Sequence, residues 1–205
     1  MDELGLFPLG IVLLPTEIVP LHVFEERYKE LIGECVELER EFGLVFADEE
    51  GVHEVGTRAR VAEVLERFDD GRLNVLVEGG GRFRVERLTR GRSFLTAEVS
   101  PLEDGPADAD DDSAGRVIEA FRALAAAAGT EVVEEPDARD GALSFAVAAR
   151  VELPAEAKQQ VLELRSEQER RERVRELLDA ARQAILAARR LGEHAKRNGT
   201  RLREP

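Results

Sequence analysis

The sequence predicts an α+β fold in which a β-rich N-terminal half with one packed helix precedes a C-terminal helical bundle. Short apolar runs bounded by Gly, Pro or charge fill roughly the first hundred residues, whereas apolar positions at helical spacing dominate the rest. An acidic run at 103–112 separates the two patterns and has little to bury. A chain of 205 residues is long enough to bury a sizeable core.

The N-terminal half is predicted to contain strands at 11–14, 19–23 and 42–47, because each is a short apolar run. Residues 25–39 instead carry apolar side chains at helical spacing opposite a charged face, which predicts an amphipathic helix packed on the sheet. Cys35 lies on the apolar face of that helix and suits a small buried side chain in a reducing compartment.

A hairpin is predicted next, with strands at 59–68 and 72–78 joined by the turn residues Asp69-Asp70-Gly71. The run Gly79-Gly80-Gly81 follows and is interpreted as a tight turn or a bulge. It opens into a strand and not a helix, which argues against a phosphate-binding loop. A barrel-like antiparallel sheet is the simplest arrangement of these segments and the two alternating strands that follow, at 82–88 and 94–102.

The change of pattern after residue 102 predicts the domain organisation. A β-rich domain covers 1–102, and an acidic linker or mobile loop covers 103–112. A helical bundle covers 113–195, and a mobile basic tail covers 196–205.

The bundle is predicted to contain two shorter helices around 117–125 and 143–147, with Asp137 as a candidate cap of the second. A capping-box pattern at Ser166 begins a long helix that is expected to end near Gly192.

Several segments resemble, in order and spacing, the substrate-recognition domain at the N-terminus of Lon proteases. They are LFPLG at 6–10, LLP at 13–15, PLHVFEERY at 20–28, FGLVF at 42–46, EVGTRARV at 54–61, DDGRLNVLVEGGGRFRV at 69–85 and LPAEAKQQVLEL at 153–164. The resemblance implies a PUA-like β pseudobarrel followed by a helical bundle. It also implies a freestanding, non-catalytic protein- or peptide-binding module, because ATP hydrolysis and peptide cleavage belong to later domains of those enzymes.

No enzymatic activity, cofactor or metal is predicted. A phosphate-binding P-loop needs Gly-Lys-Ser or Gly-Lys-Thr, and the sequence contains neither. Ser144 and Lys158 do not stand in a setting that resembles the Ser–Lys dyad of the Lon family. His22 has no second His or Cys at ligand spacing, so a structural role is the simpler interpretation.

The net charge helps to distinguish between protein and nucleic acid as binding partners. With 29 basic and 43 acidic residues the net charge is −14, which disfavours nucleic acid. RNA binding stays an alternative, because PUA-like folds elsewhere handle RNA and the tail is basic. A second alternative is a self-associating scaffold, in which the apolar stripe at 174–188 packs against another copy of the chain in a homo-oligomer. No signal peptide or membrane span is readable, so we expect a soluble cytoplasmic protein.

The favoured function is recognition of unfolded or exposed peptide segments, as an adaptor or quality-control factor that could also contact a protease or chaperone. Phe7, Phe24 and Tyr28 are aromatic residues that could belong either to the core or to an exposed apolar surface. The candidate protein-binding surface is formed by the end of PLHVF and the start of the following helix: Phe24, Glu25, Glu26, Arg27 and Tyr28.

Overall fold

The computed structural model describes residues 2–105, 111–131, 136 and 142–200, with only the backbone described at 111 and 192–200. The strands of the N-terminal half are β1 (Asp2–Leu9), β2 (Ile18–Val23), β3 (Phe42–Asp48), β4 (Gly51–Arg67), β5 (Leu73–Thr89) and β6 (Leu95–Pro101). Helix α1 (Glu26–Leu38) lies between β2 and β3 in the chain. Among the described helices, none is long and apolar enough to cross a membrane.

The strands form one sheet in the order β2-β5-β4-β3-β1-β6, and a further pairing between β5 and β6 closes it into a barrel. The predicted α+β pseudobarrel is therefore confirmed. Pairing is antiparallel except between β1 and β3, which run parallel from Leu6↔Gly43 to Leu9↔Phe46. The expectation of a purely antiparallel sheet is wrong at this pair. A parallel pair needs a long crossover, and the intervening chain with β2 and α1 supplies it.

Residues 11–14 form no strand, although their apolar run predicted one. Val12 and Leu14 pack into the core of the helical half, whereas Leu13 packs into the barrel. The Leu14 N–H donates to the Glu17 carboxylate at 2.9 Å, so a side chain replaces a strand partner. The apolar run is thus explained by a connection buried between two cores.

The predicted hairpin forms from β4 and β5, and the three successive glycines lie inside β5 as a bulge. Thr57 pairs with Arg82 and Ala59 pairs with Gly79, so β5 has one more residue than β4 between these pairs. A Cβ at Gly79 would overlap the carbonyl oxygen of Leu14, which explains why glycine is required there.

Helix α1 packs on the barrel through the apolar face that its sequence predicted. Tyr28, Leu31, Ile32 and Cys35 are buried in the same cluster as residues of the surrounding strands. Burial, together with the charge of Glu34, raises the pKa of the Cys35 thiol to about 11.

The helical half contains α2 (Asp111–Ala128), α3 (Leu143–Ala148), α4 (Ala155–Glu163) and α5 (Glu167–Thr200). Ser166 caps α5 as predicted, since its Oγ accepts the Glu169 N–H at 3.3 Å. The helix continues through Gly192, so its predicted end is wrong; one glycine inside a helix costs only about 1 kcal/mol relative to alanine. Asp137, the candidate cap, lies outside the described residues.

One hydrophobic cluster joins the two halves. Val12, Leu14, Phe46 and Val55 of the barrel half pack with residues of all four C-terminal helices. Val174 and Leu178, which begin the stripe considered for self-association, are fully buried in this cluster. The helical half is therefore seated on the barrel through a shared core.

Asp104, within the predicted linker, forms ion pairs with both halves of the protein. Its carboxylate binds the guanidinium groups of Arg82 in β5 and Arg170 in α5, both of which are buried. Arg82 also donates to the carbonyl groups of Leu162 and Leu164 at the end of α4, both at 2.6 Å. Residues 106–110 lie outside the described chain, and the boundaries 1–102, 103–112, 113–195 and 196–205 stay a prediction.

Candidate functional site

Strand β2 lies at an edge of the sheet. Among the described strands it pairs only with β5, in a register from Ile18↔Glu78 to Val23↔Leu73. The other side of β2 therefore presents backbone polar groups that no strand of the described chain covers. Pro20 is consistent with this position, because proline cannot donate to a ladder and is tolerated mainly on edge strands.

Exposed apolar side chains flank this edge. Phe24 and Ile18 are the most exposed large hydrophobic residues described in the barrel half, at 60% and 57%, and they lie at opposite ends of β2. Leu65 lies away from the open edge, on β4 beyond β5; it is 51% exposed and lines a shallow depression of about 530 Å³ together with Pro20 and His22. We term Ile18, Pro20, His22, Phe24 and Leu65 the β2 surface.

Four of the five residues predicted for a binding surface are accessible beside it. Phe24, Glu26 and Arg27 are exposed and Glu25 is half-buried. The Arg27 guanidinium donates to Glu25 at 2.7 Å and lies 4.6 Å from the centre of the Tyr28 ring. The charged groups at the start of α1 are therefore held in local pairs next to the exposed ring of Phe24.

Tyr28, the fifth predicted residue, belongs to the core. It is 6% exposed, and its ring stacks on that of Phe7 with the centroids 4.1 Å apart. Burial raises the pKa of the Tyr28 hydroxyl, an effect that the Arg27 charge partly offsets. Phe7 is buried as well. Tyr28 thus anchors α1 to the barrel, and a binding role for the other four residues stays a prediction.

Sequence reasoning did not single out Ile18 and Leu65. A single apolar run predicts a strand but does not reveal which of its faces is covered, and the exposure of a side chain depends on that face. Pro20 was the available signal, because a proline inside a strand pattern indicates an edge.

His22 has polar and aromatic neighbours of its own. Its Nδ1 lies 2.6 Å from the Asn74 side-chain oxygen, and its ring stacks near Phe24 with 5.9 Å between centroids. In the part of the chain that the structure describes, no cluster of three or more His, Cys, Asp or Glu side chains is placed to hold a metal ion. The observed contacts support a structural role for His22.

Ser144 and Lys158 belong to separate networks. The Ser144 hydroxyl donates to Glu167 at 2.6 Å and accepts from Arg170 at 3.1 Å, whereas the Lys158 amine donates to Glu17 at 2.5 Å. A Ser–Lys dyad requires the lysine amine to receive the hydroxyl proton. Both groups are instead engaged by carboxylates, so they do not act together as nucleophile and base.

A further polar cluster lies where the β3–β4 hairpin meets α4. His53 Nε2 is 2.8 Å from an Asp48 carboxylate oxygen, and the His53 ring stacks on Phe46 with 4.9 Å between centroids. The His53 hydrogen bond lowers the pKa of Asp48 despite some opposing desolvation. Glu163 Oε1 lies 3.9 Å from His53 Nδ1. These contacts tie the hairpin to the helical half.

Comparison with known proteins identifies a family that matches nearly the whole described fold. Residues 3–180 match the model of the ATP-dependent protease La (LON) substrate-binding domain. The chain is 33% identical over 201 residues to a Lon protease of Anaeromyxobacter dehalogenans and 32% identical over 201 residues to Lon protease 2 of Myxococcus xanthus. Each alignment covers 89% of this chain but 24% of the relative, so the chain spans about a quarter of their length.

Solved structures share the fold. A Lon N-terminal domain protein from Xanthomonas campestris matches with a TM-score of 0.64 and 26% identity, covering 85% of this chain and 97% of that one. The N-terminal domain of a Mycobacterium avium complex Lon protease matches with a TM-score of 0.66 over 87% of this chain and 98% of that one. At 18% identity the second likeness concerns the fold alone.

Proposed function

Since the chain belongs to the Lon substrate-binding domain family, we propose that it binds unfolded or extended segments of other proteins without catalysing a reaction on them. The observation that carries this proposal is the β2 surface, where Ile18 and Phe24 expose apolar side chains along an open strand edge and Leu65 exposes another on the adjoining part of the sheet, across β5. Apolar residues exposed together in this way are typical of protein interaction sites.

The match covers only a substrate-binding domain, and this agrees with a binding role. Affinity would come from apolar contact and backbone hydrogen bonds, not from covalent chemistry. In a cell this activity would suit a cytoplasmic adaptor or quality-control factor that presents bound segments to a protease or chaperone.

The net charge of the protein affects which peptide segments it can bind. A net charge of −14 favours segments that are neutral or basic and opposes acidic ones. The same charge opposes RNA, whose phosphates would be repelled by most of the surface.

The proposal can be tested by comparing how the protein binds the unfolded and the native form of the same ligand protein. Fluorescein-labelled lysozyme is a suitable probe, because it is basic and can be kept unfolded by reduction and carboxamidomethylation. Fluorescence anisotropy at about 0.15 M salt should show binding of the unfolded form and not of the native form, with a polyuridine RNA as a third ligand. Equal affinity for the two forms of lysozyme, or a preference for RNA, would contradict the proposal.

Two variants locate the surface. Phe24→Ala should weaken binding of unfolded lysozyme about tenfold, since exposed aromatic residues often dominate an interface. Leu88→Ala is the control, because Leu88 is likewise an exposed apolar residue, at 51% against 60% for Phe24, but lies near the end of β5, where it pairs with Ala97 of β6. If both variants bind like the wild type, the binding surface lies elsewhere.

A further inference from the structure

We propose that the bound segment is an extended stretch, without proline at the positions that face β2, that adds to the free edge of β2 as a further strand. This inference rests on the proposed function and specifies how the segment is held. The register of β2, the position of Pro20 and the placement of the exposed side chains support it.

The register determines which backbone groups of β2 face outward. Gly79 N–H donates to the Glu17 carbonyl at 2.9 Å at the start of the β2–β5 ladder, and Val19 then pairs with Val77. Residues of an antiparallel strand turn their N–H and C=O groups alternately to one side and the other. Val19, Leu21 and Val23 therefore bond to β5, and the groups of Ile18, Pro20 and His22 point away from it.

Pro20 fits this alternation and restricts the ligand. It has no N–H, and it stands at one of the three outward positions, where no bond to β5 is lost. The free edge thus offers N–H donors at Ile18 and His22 but carbonyl acceptors at all three outward positions. To pair with these three carbonyl groups, an added strand must supply three N–H donors along one of its edges. Proline cannot occupy those positions, and the free edge recognises the extended backbone of the segment.

The side chains define what that strand carries. Ile18, Pro20 and His22 are exposed on β2, and Phe24 continues the row beyond its end. At about 3.3 Å per residue the row from Ile18 to Phe24 is roughly 20 Å long, enough to contact about six residues of a partner strand. Neighbouring side chains on paired strands contact one another, so apolar residues on the exposed face of the segment are favoured.

A second copy of the chain is a poorer occupant. If two β2 edges met with Pro20 opposite Pro20, neither proline could donate to the other's carbonyl group. Each chain also carries a net charge of −14, so association would bring two strongly acidic surfaces together. A neutral or basic segment of another protein avoids both penalties.

Backbone N-methylation of a peptide tests strand addition directly. The probe is fluorescein-labelled Lys-Lys-Thr-Leu-Thr-Phe-Thr-Leu-Lys-Lys, and two isomers carry N-methyl groups on the three Thr or on the two Leu and the Phe. The isomers have the same side chains, but their blocked N–H groups lie on opposite edges of an extended strand. We expect the unmodified peptide and one isomer to bind alike and the other isomer to bind at least tenfold more weakly.

Four results separate failure of this inference from failure of the proposed function. Equal affinities of the two isomers, or no binding of the unmodified peptide while unfolded lysozyme binds, would overturn strand addition and leave the proposed function standing. Absence of lysozyme binding would overturn both. Self-association in analytical ultracentrifugation that the peptide reverses would identify a second copy as the natural occupant and would also overturn the inference.

Substitutions at His22 test the same edge from the protein side. His22→Pro removes an outward N–H, whereas His22→Ala keeps it, and both lose the side-chain contact with Asn74. We expect His22→Pro to bind the peptide about fivefold more weakly than His22→Ala, the effect of losing one hydrogen bond. Equal affinities in variants of equal thermal stability would contradict the inference.

Discussion

Arg82 in β5 and Arg170 in α5 converge on a single carboxylate, that of Asp104. Both guanidinium groups also face the ring of Phe145, at 5.4 and 4.6 Å from its centre. Two buried cations this close would repel one another, and the shared anion makes their burial tolerable. The barrel and the helical half are thus joined by a charge network at the rim of their common apolar core.

Removing the shared anion should weaken the whole fold. Asp104→Asn leaves Arg82 and Arg170 buried without their common partner, which we expect to lower the free energy of unfolding by about 2 kcal/mol. The figure is below that for a fully buried pair because about a third of the Asp104 side chain is exposed. Urea denaturation checks it, with the adjacent exposed residue in Glu103→Gln as the control. An equal effect of both substitutions would contradict this role.

Acid should weaken the same junction. Burial opposes ionisation of Asp104, but hydrogen bonds and charge from Arg170 and Arg82 outweigh it, so the pKa of Asp104 lies below its ordinary value. Because the pKa of Asp104 is lower in the folded than in the unfolded chain, its ionised form stabilises the fold fully above about pH 4. This stabilisation is lost as the pH falls from about 4 through the lowered folded-state pKa. The difference in unfolding free energy between wild type and Asp104→Asn should therefore shrink below about pH 4. A difference that stays constant down to about pH 3 would argue against this titration.

Gly79 should not tolerate even the smallest side chain. A Cβ at this position meets the carbonyl oxygen and carbon of Leu14, and backbone cannot move aside as a flexible side chain can. We expect Gly79→Ala to lower the unfolding free energy by about 2–3 kcal/mol. Gly81→Ala is the matched control, since a Cβ there meets nothing within 4 Å. Similar midpoints for the two variants in urea would show that the loop at Leu14 can shift.

Cys35 should be chemically inert in the folded protein. Its thiol is buried and its pKa is raised to about 11, so on the order of 0.1% is thiolate at about pH 8. Reaction with Ellman's reagent should be slow in buffer and fast in concentrated urea. A native rate like that of a free thiol would mean that α1 opens readily.

Local patterns predicted the elements whose partners are close in sequence. The face of α1, the Ser166 cap and the β4–β5 hairpin follow from periodicity, capping and turn chemistry within short windows. The strand predicted at residues 11–14 does not form, because an apolar run indicates that a segment is buried but does not determine its backbone conformation. The continuation of α5 through Gly192 was missed because a glycine signals a helix end without proving it.

The candidate site was predicted only in part, for a related reason. PLHVFEERY located Phe24 and the charges that follow it, yet the same segment contains Tyr28, whose burial depends on the stacked ring of Phe7 far away in the chain. The open edge of β2 beside Ile18 follows from the order of strands in the sheet. Strand order is a long-range property that no local window contains.

The pairing of β1 with β6, from Asp2↔Val99 to Leu6↔Leu95, has a consequence for biosynthesis. Translation delivers β1 first, but the strand that closes the barrel against it is the last of the six to leave the ribosome. Until then Leu4 and Leu6, both buried in the finished protein, have an incomplete core around them. Contacts so distant in sequence form late, so we expect barrel closure to be the slow step in maturation of the nascent chain.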